Sequence, residues 1–192
     1  MEKKYNLMSQ YRNEYITENI KFGLLPKDSF YDMKILSTNA SYNIDDPIYF
    51  WQLYSVIGEP GIEIIITKFY NLIFNDDNNE WFKKEFVESG SIKYHIERQK
   101  IFWISVMGGD KKYIGGDTKL NLKHKLVNNI MTTEGAELWM YYMTKTLNEL
   151  KILFSYDKRI MKSINDFLIF FIIKYSNKFN FNVTNILIKS KL

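Results

Sequence analysis

The stretch SIKYHIERQKIFWISVMGG, residues 91–109, sets its side chains at a helical interval. Ile92, His95, Ile96, Gln99, Phe102, Trp103 and Val106 fall at i, i+3, i+4, i+7, i+10, i+11 and i+14, which is one face of a helix. Five of the seven are apolar. His95 and Gln99 are the exceptions, one turn apart in the middle of the stripe that the helix buries. An unpartnered polar group costs about 1–3 kcal/mol in such a place, so their presence there needs a reason.

The same spacing recurs along the chain. Pro47 can open a short helix, which Gly58, Pro60 and Gly61 close, and a second helix begins near Pro60. There Ile62, Ile65, Ile66, Phe69, Tyr70 and Ile73 form an apolar stripe with a tyrosine inside it. The run NDDNNE at 75–80 breaks that helix, and EWFKKEF predicts a short turn of helix carrying Phe82 and Phe86. Gly108 and Gly109 end the helix of the opening stretch. Residues 110–129 predict a loop with a short helix holding Leu120, Leu122 and His124. Thr132 and Thr133 offer N-caps for a stripe of Ala136, Trp139, Met140, Met143, Leu147 and Leu150. A last helix near 157–175 carries Met161, Ile164, Phe167, Leu168, Phe171 and Tyr175.

No run alternates with period two for long, so the expected architecture is all-α, with about six helices around one core. Residues 1–46 are weakly periodic and predict an N-terminal extension, partly ordered or packed on the main domain. Residues 47–176 form that domain, and residues 177–192 form a C-terminal tail.

Composition narrows the chemistry. A chain of 192 residues, 46% hydrophobic, can bury a full core as one domain. The net charge of +4 is spread without a Lys/Arg tract, which argues against a nucleic-acid partner. Cys is absent, which removes disulfides, thiolate metal sites and covalent haem attachment through cysteine. His95 and His124 are the chain's two histidines, so a zinc site built from several is not expected. The longest apolar run, FLIFFII at 167–173, stops at Lys174, far short of the ~20 residues that span a bilayer. The opening MEKKYNLMSQYRNEY lacks the apolar run of a secretory signal, and Glu2 and Glu14 make it a poor transit peptide. The expectation is a soluble intracellular protein, cytoplasmic or organellar, with a mitochondrial site left open.

Taken singly, the polar residues have ordinary readings. A lone His on a helix face is more often a satisfied core or surface residue than a ligand. Tyr70 alone reads as a core tyrosine with its hydroxyl at the rim, and Trp139 as plain packing. Their order carries more. IGEPGIEIIITKFY at 57–70, HIERQKIFWISVMGGDKKYIGG at 95–116, LNLKH at 120–124 and TTEGAELWMYYM at 132–143 together resemble the truncated haemoglobins. The resemblance covers roughly residues 48–175. It implies a globin-like two-over-two helical sandwich, here with N- and C-terminal extensions, and a non-covalent haem b.

In such proteins the proximal iron ligand matches His124. The helix bearing His95, Gln99 and Phe102 lines the distal side, and Tyr70 reaches the same pocket from the preceding helix. Phe86, or else Phe82, matches the aromatic that packs on the haem face, and Trp139 resembles a pocket tryptophan. His95 is also a candidate distal iron ligand. The distal set mixes the family's groups: Gln99 resembles the first and some of the second, His95 the third, and Trp139 the second and third.

These residue types suit the chemistry. A neutral imidazole gives haem iron its axial donor. Tyr, His and Gln supply donors that stabilise a bound diatomic gas more strongly in an apolar pocket than in water. Three donors slow O2 release, which favours NO dioxygenation, peroxide reduction or sensing over bulk oxygen transport. O2, NO and CO are the implied ligands, and an external reductase the implied partner. The competing reading is a globin-fold structural or interaction subunit of a larger intracellular assembly, with haem dispensable and the extensions holding a protein partner. The substitution His124→Ala separates the two. Loss of haem retention in an absorption spectrum is expected for the first reading, and no change for the second.

Overall fold

The computed structural model describes residues 6–110, 113 and 129–184, and among them every regular element is helical. The α-helices are α1 (Leu7–Lys21), α2 (Met33–Leu36), α3 (Tyr54–Phe74), α4 (Glu80–Ser89), α5 (Ile92–Val106), α6 (Thr133–Leu150) and α7 (Arg159–Phe179). Short 3-10 turns occupy Ser29–Tyr31, Phe50–Gln52 and Lys151–Phe154. The expected loop with Leu120, Leu122 and His124 lies outside the described residues.

Two helix pairs make the sandwich. α3 packs along α5 and also against α6. α5 meets α7 through Trp103 on Phe167 and Phe102 on Phe171, with ring centroids 4.9 and 5.5 Å apart. The stripes predicted from spacing form the core: Ile62, Ile65, Ile66, Phe69 and Ile73 of α3 are buried, as are Phe102, Trp103 and Val106 of α5 and Met140, Met143 and Leu147 of α6. All-α architecture therefore stands as expected.

The punctuation residues act through identifiable geometry. Gly58 has φ 61° and ψ −174°, so the chain breaks its helical path there and the longer arm of α3 starts at Pro60, as the spacing predicts. Pro47 opens no helix. The Gln52 side chain instead accepts the Tyr49 N–H at 3.0 Å, and the first turn forms only at Phe50. Gly108 takes φ 93°, and a Cβ there would lie 2.1 Å from the Trp51 carbonyl oxygen. Only glycine fits both the backbone and the contact. Thr132 caps α6 by accepting the Gly135 N–H at 3.1 Å. α7 runs to Phe179, beyond the predicted end near 175, because Ser176 is a further buried position on its inner face.

The N-terminal residues pack on this body. On α1, Leu7, Tyr11 and Ile16 are buried. Tyr11 sets its ring edgewise to Phe171, centroid to centroid 4.9 Å. The next stretch is pinned by hydrogen bonds: Trp51 Nε1 donates to the Ile35 carbonyl at 2.7 Å, and Gln52 Nε2 to the Lys34 carbonyl at 2.8 Å. One guanidinium nitrogen of Arg159 reaches the carbonyls of Ser41, Asn43 and Asp46 at 2.8–3.1 Å.

The end of α3 is tied to α6 by one carboxylate. Asp76 accepts the Tyr142 hydroxyl at 2.5 Å and also bonds Asn78 and Asn79. The Tyr142 hydroxyl bond, then the amide bonds, hold the Asp76 carboxyl well below its ordinary range, while burial and Asp76 push Tyr142 up to about 12. A carboxyl depressed by folding adds stability above its unfolded pKa of about 3.9 and loses it as pH falls toward the folded value. Tyr142→Phe is therefore expected to be less stable than the wild type in urea melts at neutral pH, with the gap narrowing as pH drops below about 4.

Candidate functional site

The sequence-predicted site residues fall into two adjoining groups. Tyr70, Phe86 and His95 form the first, an aromatic cluster where α3, α4 and α5 meet. Tyr70 stacks on His95 with ring centroids 5.4 Å apart and a 27° tilt, and Phe86 packs edgewise on both at 5.9 and 5.6 Å. Phe82, the lesser alternative to Phe86, is fully buried and packs between Phe86 and Tyr142.

His95 has a definite bonding state. Its Nε2 lies 2.9 Å from the Phe86 carbonyl oxygen. A carbonyl only accepts, so Nε2 carries the proton, and the imidazole ties α5 to the C-terminal turn of α4. Tyr70 is buried, and its hydroxyl has no hydrogen-bond partner among the described residues. Burial raises the hydroxyl's pKa above its ordinary value, so it stays protonated and available as a donor.

Gln99, Phe102 and Trp139 belong to the second group. They line one cavity, together with Trp103 and with Phe167 and Phe171 of α7. It offers about 100 Å³, space for a small ligand. Gln99 is half-buried at its edge, and its amide bonds none of the described side chains. The two groups are joined by Phe69, which contacts Tyr70 at 5.1 Å on one side and Trp139 at 5.2 Å on the other. His124, and with it any axial bond, lies outside the described residues. Among those residues no group of three or more His, Asp and Glu is placed to hold a bare metal ion.

One residue beside the site was missed by sequence reasoning. Lys100 follows Gln99 directly and is 7% exposed. Its ammonium is 3.0 Å from Glu97, 3.5 Å from Glu63 and 3.9 Å from Glu59. The Glu97 hydrogen bond, with further support from Glu63, raises the lysine's pKa despite burial. Two of the three carboxylates come from α3, so this cation fixes how α5 lies along it. The signal was present as Glu59 and Glu63 one turn apart, but their pairing with a lysine on another helix is a tertiary fact. Sequence reasoning also left Phe181 in a tail, whereas it lines the cavity with Tyr175.

The model of a family described as bacterial-like globin matches residues 52–171, more than half of the chain. No solved structure matches it.

Removing the Lys100 cation leaves three carboxylates facing one another. Lys100→Met is expected to lower the melting temperature at low ionic strength, with part of the loss recovered in high salt, where like-charge repulsion is screened.

Proposed function

The chain belongs to the bacterial-like globin family, and on that premise we propose that it holds haem b non-covalently and binds a diatomic gas, O2, NO or CO, beside Tyr70 and Gln99. The observation that carries the reading is the pair of polar side chains turned into aromatic surroundings with no partner among the described residues: the Tyr70 hydroxyl on α3 and the Gln99 amide on α5. A ligand that accepts their hydrogens would give each of them a hydrogen bond.

The donor set fits haem. His95 commits Nε2 to the Phe86 carbonyl, and the resemblance to truncated haemoglobins assigns His124 to the proximal position. Haem, when bound, would supply the iron to which the gas coordinates, and His124 would hold it. Phe86 would pack against the group, and the space of about 100 Å³ lined by Phe102 and Trp139 would take a small ligand.

Each side chain then has a task. Tyr70 and Gln99 donate hydrogen bonds to the gas, and the aromatic wall excludes water that would compete for them. His95 positions α4 against α5. A gas held by two donors leaves slowly, which suits NO dioxygenation or peroxide reduction with an external reductase, or sensing, better than bulk transport.

The test is the absorption spectrum of the purified chain after haemin is added, then after reduction and exposure to CO. A stoichiometric band that shifts with CO supports the reading, and no specific uptake overturns it. In the loaded protein Tyr70→Phe and Gln99→Leu are each expected to speed O2 release about fivefold, the equivalent of one hydrogen bond of about 1 kcal/mol. Stopped-flow displacement of O2 by CO measures this.

A further inference from the structure

Beyond the end of α7 the chain turns back on itself. Asn180 adopts the left-handed conformation, with φ 57° and ψ 51°, which reverses the backbone at the last turn. The Phe181 N–H then donates to the Ser176 carbonyl at 3.2 Å. The Asn182 N–H donates to the Thr133 hydroxyl at the start of α6, at 3.0 Å, and the Thr184 N–H donates to the Asn182 side chain at 2.8 Å. Three successive bonds thus carry residues 180–184 from the end of α7 across to α6.

Phe181, placed between the first two anchors, lines the same cavity as Gln99 and Trp139. It is partly buried against the core and partly exposed, as a residue at a rim must be. Residues 172–184 lie past the segment matched by the family model.

We propose that residues 180–184 are a strap across the cavity and that Phe181 is its plug, setting how fast small apolar molecules enter and leave. A phenyl ring held by a latch on each side closes the cavity only while both latches hold. The Thr133 bond is a single hydrogen bond between an exposed backbone amide and a hydroxyl on a different helix. Release of Asn182 frees the ring to swing outward without disturbing α7. For O2, NO and CO the inference rests on the haem reading above; for an inert gas it does not.

The test uses xenon first, since apolar cavities of about this size (~150 Å³) take it up. Xenon exchange is followed by NMR on the full chain without haem, in the wild type, Phe181→Ala, Phe181→Trp and Thr133→Val. Faster exchange in Phe181→Ala and Thr133→Val, and slower exchange in Phe181→Trp, is expected. Thr133→Val keeps every residue of the cavity wall, so it remains informative should Phe181→Ala not fold. Xenon exchange at the wild-type rate in the folded variants, or no uptake by any of them, overturns the strap. In haem-loaded protein the same variants are expected to change CO recombination after photolysis in the same order. If the chain takes up no haem while xenon exchange still follows that order, the haem reading falls and the strap stands.

Discussion

The geometry of the site depends on how α5 lies along α3. α5 carries Gln99, Phe102 and His95 within two turns, and a small rotation would carry all three away from Tyr70 together. Two kinds of interaction prevent it. Phe102, Trp103, Ile104, Ser105 and Val106 are all buried at the C-terminal end of the helix, which fixes its depth. Lys100 meets Glu59 and Glu63 of α3, which fixes its rotation and its register. Apolar packing is tolerant of direction, whereas a buried ammonium between carboxylates is not. A burial penalty that would be wasteful in a plain core here specifies a single docking of the two helices.

Much of this was legible before any coordinates. Helical spacing identified the stripes of α3, α5, α6 and α7, because those faces are long and mainly apolar. Gly58, Gly108 and Thr132 marked their ends by local chemistry that needs no partner. α1 was not legible in this way. Its buried residues, Leu7, Tyr11 and Ile16, are spaced too irregularly to stand out among Asn, Glu and Lys, and its place is set by the rings of α7 that Tyr11 meets. The start of the first turn at Phe50 rather than Pro47 was hidden for the same reason, since Gln52 and Trp51 are held by the carbonyls of a distant segment.

The site was legible as a set and less so as an arrangement. Tyr70, His95 and Gln99 were expected to share one pocket. Tyr70 and His95 share an aromatic cluster, Gln99 shares a cavity with Phe102 and Trp139, and Phe69 lies between. Spacing along a helix says which residues face the same way, but it cannot say which of them line a given cavity. The N-terminal stretch bears on the competing interaction-module reading as well. Ends that were to wrap a partner are in part committed to this chain's own core, through Tyr11, Trp51 and Arg159.

The bond from His95 to the Phe86 carbonyl carries a mechanical meaning. That carbonyl also receives the Gly90 N–H and the Ser89 hydroxyl, so it is the knot in which α4 ends. For Nε2 of His95 to turn toward anything else, the imidazole must first leave this knot, and the last turn of α4 loses its cross-tie to α5. The orientation of one ring and the firmness of a helix end are thus a single variable. Whatever captures the ring loosens α4, and whatever braces α4 keeps the ring where it is.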